Sequence, residues 1–288
     1  MKFVISEAMC DVDHYLPLAR AADEAGFHTF STGDSIFFPE QAVGKYPYTQ
    51  DGDRSFLEGA PFLDPFQLFA AMSAVTERIH FQVGVLKLPI RNPVLVAKQV
   101  SSLAVFTGER FALGVGLSPW VEDFQACGED WDSRGPRMDE MIEIMRGLMT
   151  GDYFAYESEH YQIPRLKLCP VPSRCPDIII GGHSKPAYRR AARLADGFTF
   201  TGVDEAELLE RLATLDALRR EYGRENEPFS VYAGLASVRS RDDMLRLRDR
   251  GVTHLLVGYR NPYAPDTMQL QEKLDWVRRF GDGVIAKF

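Results

Sequence analysis

Short apolar runs alternate with longer amphipathic segments along the whole chain. The runs lie at residues 3–6, 28–32, 79–86, 111–116, 177–180, 198–201, 229–236 and 254–257. Several of them lack the alternating polar positions of a strand that has one face in water. They therefore predict parallel strands that are covered on both faces.

The segments between these runs carry apolar residues at three- and four-residue steps, which predicts helices. These segments are 13–25, 65–76, 93–106, 136–150, 185–195, 204–222, 240–250 and 266–280. In the first helix, Leu16, Ala19, Ala22 and Ala25 share the predicted buried face, and Gly26 marks its end.

Strict alternation of strands and helices is typical of a (β/α)8 TIM barrel or of a doubly wound sheet. Eight units in 288 residues average 36 residues each, which suits the barrel. The turn after the first strand, residues 7–11, has none of the glycines of a dinucleotide fingerprint. The pattern therefore predicts an α/β barrel that forms one domain over residues 1–288.

Two insertions interrupt the even spacing of the units. One follows the second strand, at about residues 35–63, and the other precedes the fifth strand, at about residues 151–175. Both are rich in aromatic residues, and long loops in a compact domain often serve as lids or binding loops. Within the second insertion, residues 154–157 and 159–163 predict a hairpin.

Charge and composition exclude several classes of partner. The chain carries 33 basic and 41 acidic residues, a net charge of −8, which argues against nucleic acid and anionic membrane surfaces as partners. No apolar run approaches the ~18 residues of a membrane span, and four scattered cysteines indicate reduced thiols. We therefore expect a cytoplasmic protein that acts on a small molecule. No spacing of residues suggests a metal site.

Barrel enzymes place their chemistry where strands end and the following loops begin. Glu7 and Asp34 are acids at the ends of the first and second strands, although Asp34 could equally be a helix cap or a loop charge. Gly181-Gly182-His183-Ser184 follows the fifth strand and opens a helix. Its glycines and free amides suit a bound phosphate. The alternative is an ordinary turn, with Ser184 as the helix cap and Pro186 in the first turn.

Five motifs together resemble segments of the luciferase-like monooxygenase superfamily. They are LPIRNP (88–93), TGERFALGVG (107–116), RGPRMDE (134–140), GGHS (181–184) and RAARLADGF (190–198). The resemblance is strongest over residues 79–200. It implies a barrel that binds FMN or the deazaflavin coenzyme F420 at its mouth, and it implies a homodimer.

The resemblance also assigns cofactor-binding residues by position. The ring would lie across the strand ends, supported by a non-proline cis peptide at Gly84–Val85. Asp34, Gly116 and Leu117 would border the ring. The phosphate would lie on the amides of Gly181, Gly182 and His183.

The combination of GGHS and LPIRNP looks most like the F420-dependent branch, which implies hydride transfer between the coenzyme and a small organic substrate. Many members of that branch have histidine where this chain has Ser35, so Asp34 or Glu7 is the candidate catalytic acid or base. The substrate-lining candidates are Phe37, Phe38, Trp120 and Arg260. The alternatives are an FMN-dependent monooxygenase that uses reduced flavin and oxygen, and a non-catalytic flavin-binding barrel.

Overall fold

Parallel strands close into a barrel, as the alternation of apolar runs predicts. A computed structural model describes residues 1–41, 44–46, 49, 51–238 and 240–288. The barrel strands are β1 (Lys2–Ser6), β2 (Thr29–Thr32), β3 (His80–Val83), β4 (Leu86–Lys87), β5 (Phe111–Gly116), β8 (Ile178–Gly181), β9 (Gly197–Phe200), β10 (Ser230–Ala233) and β11 (His254–Val257). Strands β6 (Phe154–Glu157) and β7 (Gln162–Leu166) form a separate antiparallel hairpin. Pairing of β1 with β11 and of β3 with β5 completes an eight-stranded circuit in which β4 continues the course of β3.

Helices follow the barrel strands and surround them. They are α1 (Tyr15–Glu24), α2 (Pro65–Ser73), α3 (Pro93–Phe106), α4 (Val121–Cys127), α5 (Arg134–Leu148), α6 (Lys185–Leu194), α7 (Glu205–Glu221), α8 (Arg241–Asp249) and α9 (Leu270–Gly283). Short polar side chains cap several of them, such as Asp64 at α2 and Asn92 at α3. Within the described ranges, none of these helices combines the length and the apolar character that crossing a membrane requires.

The eight predicted helices are present, with bounds that differ from the prediction by up to four residues, as at α9, which begins at Leu270 instead of residue 266. One further helix and one buried face also differ from the prediction. Helix α4 was not predicted, because it is short and buries only Asp123 and Phe124. In α1, Leu16 is 40% exposed, whereas Tyr15 and Leu18 are buried. The predicted face is therefore wrong by one position at the start of the helix. A 3-10 turn at Val12–His14 precedes α1 and delays its first α-helical residue to Tyr15.

Apolar clusters cover both faces of the barrel strands. The larger one joins outward-facing strand residues, such as Phe30 and Phe81, to the surrounding helices. The smaller one contains only strand residues, Val4, Ile179 and Tyr232, and lies inside the barrel. Both faces of the strands are therefore covered, which explains why their sequences are so uniformly apolar.

The predicted single strand over residues 79–86 is interrupted. Strand β3 ends at Val83 and pairs with β2, while β4 begins at Leu86 and pairs with β5. Between them the peptide bond Gly84–Val85 is cis, at the position that the family resemblance implies.

The two insertions have different places in the fold. The first supplies residues that line a cavity together with Trp120, at the carboxyl end of the barrel strands. The second forms the predicted hairpin, which packs on the outer face of α5. There the Tyr156 hydroxyl donates to Glu143 at 3.1 Å, and the Phe154 ring lies over Gly147. The hairpin contributes no residue to that cavity.

Candidate active site

Val85 lies across the ends of two neighbouring strands at the barrel mouth. A Cβ atom added to Gly116 would lie 2.8 Å from one Val85 methyl, and one added to Gly181 would lie 3.0 Å from the other. Glycine at both positions therefore leaves room for the valine side chain. The result is a low floor formed by Val85, Gly116 and Gly181, with Leu117 continuing from the end of β5.

Asp34 holds the segment that follows Val85 in place. Its side chain is 2% exposed and accepts from the Lys87 backbone amide and from Arg91, both at 2.9 Å. Arg91 also donates to the Lys87 carbonyl at 2.7 Å. Asp34 is thus neither a helix cap nor a solvated loop charge. It joins the end of β2 to the end of β4.

The Lys87 side chain continues this network to the next strand. Its ammonium lies 2.7 Å from Asp123 of α4, whose side chain is 2% exposed, and the Ser118 hydroxyl donates to the same carboxylate. The Trp120 amide donates to Ser118 Oγ at 3.0 Å, which fixes the loop that carries Trp120. Buried ion pairs therefore connect the carboxyl ends of β2, β4 and β5.

Glu7 is the centre of a second buried network, between the ends of β1 and β11. Its carboxylate, 1% exposed, lies 2.5 Å from the Arg260 guanidinium and accepts from the Tyr259 hydroxyl. Asp266 follows at 3.8 Å from Arg260 and is itself paired with Lys273 of α9. Burial, followed by the charge and hydrogen bond of Glu7, raises the pKa of Tyr259 far above its ordinary range, so this hydroxyl stays protonated.

The glycine turn after β8 has the form that the sequence predicts. Ser184 is the N-cap of α6 and accepts from the Ala187 amide at 3.4 Å, with Pro186 in the first turn. Gly182 has φ of +154°, and a Cβ there would lie 2.8 Å from that of Ala187. The pKa of His183 is lowered, first because its ring is partly removed from water and then because Arg211 is positively charged, so this imidazole is neutral at pH 7.

A cavity of about 300 Å³ opens at the barrel mouth, next to Asp123 and Trp120 after β5. The lining residues come mainly from the first insertion and are mostly apolar. They are Ser35, Ile36, Phe37, Phe38, Pro39, Arg54, Leu57, Gly59, Ala60, Phe62, Trp120 and Asp123. The indole of Trp120 is stacked on Tyr46 with ring centroids 5.7 Å apart, so this part of the insertion packs on the loop after β5. The first insertion also contains Tyr48, which the pattern of aromatic residues makes a candidate for the same cover and which lies outside the described residues.

The structure brings the predicted residues together in three groups. Phe37, Phe38 and Trp120 line the cavity, while Val85, Gly116 and Gly181 form the floor. Glu7 and Arg260 bind each other instead of facing the cavity.

Sequence reasoning missed Arg54 and Asp123 as site residues. Arg54 belongs to an insertion without a periodic pattern, and Asp123 belongs to the unpredicted helix α4. Gly128, which ends α4 in the left-handed conformation, was the available signal for that helix.

Comparison with known proteins identifies relatives over the whole chain. The family profile described as luciferase-like monooxygenase matches residues 5–276. An uncharacterized protein of Mycobacterium tuberculosis strain H37Rv is 47% identical over 289 residues, which covers 100% of both chains. The FMNH(2)-dependent dimethylsulfone monooxygenase of Pseudomonas putida is 34% identical over 215 residues, which covers 73% of this chain and 53% of that protein.

Two solved structures share the fold along their full length. The monooxygenase RslO1 from Streptomyces bottropensis superimposes with a TM-score of 0.79 at 18% identity, covering 100% of this chain and 99% of the other. The coenzyme F420 dependent tetrahydromethanopterin reductase from Methanopyrus kandleri gives a TM-score of 0.74 at 14% identity, with the same coverage. At these identities the likeness concerns the barrel fold.

Proposed function

Because the chain belongs to the luciferase-like monooxygenase family, we propose that it is an oxidoreductase that binds the deazaflavin coenzyme F420 at the barrel mouth. The observation that carries the proposal is the low floor of Val85, Gly116 and Gly181 next to the Gly182 turn. A flat ring needs a surface without protruding side chains, and a phosphate needs free amides at a helix N-terminus. The two features are adjacent because β8 ends in Gly181 and leads directly into α6.

The residues present fit such a coenzyme. Side chains at Gly116 or Gly181 would collide with Val85, and one at Gly182 would collide with Ala187. The backbone at this turn therefore stays bare, as close approach of a phosphate requires. We assign Leu117, which follows Gly116, and Asp34, at the exit of β2, to the borders of the ring.

Charge at the outer edge of the turn favours F420 over FMN. Lys185 and Arg189 are exposed on the first turns of α6, and Arg211 lies 3.3 Å from the His183 ring. F420 extends beyond its phosphate with an acidic tail, whereas FMN ends at the phosphate. Arg211 is already paired with Glu207, so the argument depends on Lys185 and Arg189, which have a partner in the tail of F420 and none in FMN.

The chain's own residues orient the reactants and exclude water. The coenzyme supplies the hydride chemistry when it is bound. Asp34 and Glu7 each already accept hydrogen bonds from an arginine, so we assign Asp34 to holding the exit of β4 and Glu7 to holding the exit of β11. Catalytic proton transfer by either carboxylate stays a prediction, and water at the edge of the cavity is the alternative proton donor.

Titration of the protein with F420 and with FMN, followed by absorbance and fluorescence, tests the proposal. We expect F420 to bind with a dissociation constant about ten-fold or more below that of FMN. Gly182→Asp is expected to abolish binding, because it places bulk and negative charge at the phosphate position. Gly283→Asp at the end of α9, where an added Cβ meets no neighbouring atom, is the matched control. Tight FMN binding without F420 binding would refute the choice of coenzyme.

An FMN-dependent monooxygenase is the second candidate. It is supported by the 34% identity to the FMNH(2)-dependent dimethylsulfone monooxygenase. Product formation that requires both supplied FMNH₂ and oxygen would establish this reaction. A barrel that binds coenzyme but turns over no substrate with either coenzyme would match the non-catalytic alternative.

A further inference from the structure

Arg54 is a buried cation that has no counter-charge among the described residues. It belongs to the first insertion, is 9% exposed, and lines the 300 Å³ cavity. Its Nη2 atom is buried and has no hydrogen-bond partner, and no carboxylate among the described residues forms an ion pair with it. Burial of a guanidinium without a partner is costly, so a residue that keeps this arrangement points to a ligand that completes it.

The guanidinium is held in position by stacking. Its central carbon lies 4.1 Å from the centroid of the Trp120 ring, and Tyr46 is stacked on the same indole. A stacked guanidinium keeps its N–H groups in the ring plane and directs them sideways, which suits an acceptor with two oxygens. The stacking therefore prepares Arg54 for a bidentate contact.

The remaining lining sets the charge and the character of the ligand. Within the described lining, Arg54 is the one cationic side chain, and the carboxylate of Asp123 is already neutralised by Lys87 at 2.7 Å. One cation suits a singly charged carboxylate better than a phosphate dianion. Phe37, Phe38 and Phe62 provide an apolar wall, and a volume of about 300 Å³ is at the small end of ligand cavities.

We propose that Arg54 anchors the carboxylate of the substrate, and that the substrate is a small organic acid with an apolar body. This inference rests on the proposed function in assigning the substrate side of the same site. The cavity lies between the first insertion and the loop after β5, whereas the proposed phosphate position is at the turn after β8. Acid binding and coenzyme binding can therefore be measured separately.

The test is calorimetric titration of the full chain, with and without F420, using phenylacetate, hexanoate and cyclohexanecarboxylate, each against its own amide. At least one acid is expected to bind about 10- to 100-fold more tightly than its amide, the range of a hydrogen-bonded charge pair. Arg54→Gln is expected to remove this preference. Arg165→Gln is the matched control, because Arg165 also stacks on an aromatic ring, Tyr153, but lies in the outer hairpin.

Three results would overturn the inference. In the first, no acid binds better than its amide to the unaltered protein. In the second, Arg54→Gln keeps the preference for acids. In the third, Arg54→Gln weakens F420 binding by the same factor as acid binding, which would assign Arg54 to the coenzyme.

If Arg54→Gln does not fold, Arg54→Lys replaces it. Acid binding that is weaker by about three-fold or more supports the inference, because an ammonium lacks the guanidinium fork. Unchanged acid affinity contradicts it. Failure to bind F420 with the acid preference intact would refute only the proposed coenzyme.

Discussion

Three histidines at the amino-terminal end of the barrel should make its stability depend on pH. His28 and His80 stack with ring centroids 4.6 Å apart, and His254 meets His28 edge-on at 5.4 Å. Tyr232 stacks on the other side of His254 at 4.0 Å. Burial, then the charge of Lys2, lowers the pKa of His28 to about 3 and that of His254 to about 2. The pKa of His80 is lowered for the same reasons, although nearby Asp177 opposes the shift.

The magnitude follows from proton linkage. In the unfolded chain an imidazole takes up a proton below about pH 6.5, whereas in the barrel His28 stays neutral down to about pH 3 and His254 down to about pH 2. The unfolded state therefore binds more protons, and stability decreases as the pH falls through 6.5. Between pH 7.5 and 4.5, His254 alone contributes a loss of about 2.7 kcal/mol, from about two pH units at 1.36 kcal/mol each. For a chain of 288 residues that corresponds to a fall in Tm of roughly 4–5 °C.

Urea unfolding at pH 7.5 and pH 4.5 measures this loss. His254→Asn removes the titrating group, so the difference between the two pH values should shrink by about 2–3 kcal/mol relative to the unaltered protein. His160→Asn, in the turn of the outer hairpin, is the matched control and should leave the difference unchanged. If His254→Asn retains the full pH dependence, the burial of a neutral imidazole is not its source.

Further predictions concern Gly114 in the middle of β5 and the charge networks. Gly114→Ala should destabilise the barrel by about 3 kcal/mol or more in urea unfolding, because the new methyl overlaps the Val83 carbonyl oxygen, whereas Gly283→Ala should be nearly neutral. Asp123→Asn should cost about 3–5 kcal/mol by the same assay, because it leaves the Lys87 ammonium buried without its counter-charge. An Asp123→Asn variant as stable as the unaltered protein would show that Lys87 finds water instead.

The order of strands and helices in the barrel could be predicted from the sequence, because each strand and helix buries a face whose apolar pattern lies within a few consecutive residues. The runs at residues 111–116 and 254–257 match β5 and β11 without error, since both faces of these strands are covered. The apolar pattern predicts one continuous strand over residues 79–86, because the residues at its interruption, Gly84 and Val85, have no polar side chain that would mark a break. The glycine turn at Gly182 was also readable, since the residues that shape it are consecutive.

The site was less predictable because its contacts join distant parts of the chain. Asp34 and Arg91 are separated by 57 positions and meet only once the barrel has closed. Arg54 and Trp120 meet through the packing of an insertion that follows no period. The sequence indicated an aromatic, apolar cover, and the structure adds a buried positive charge to it. The homodimer and the cytoplasmic location stay predictions, which size-exclusion chromatography and cell fractionation can test.

The interrupted seam between β3 and β5 gives the barrel a compliant side. Its backbone ladder joins Phe81 to Phe111 and Gln82 to Ala112, stops over residues 83–85, and resumes where Leu86 pairs with Val115. At the mouth, the ion pairs Asp34–Arg91 and Lys87–Asp123 connect the strand ends. A side-chain ion pair can lengthen or exchange partners without breaking backbone hydrogen bonds between other strands. We therefore expect the backbone at the rim to open locally more readily on this side than on the side of β9 and β10. Hydrogen exchange should detect this as faster exchange of the Lys87 amide than of amides in β9 and β10.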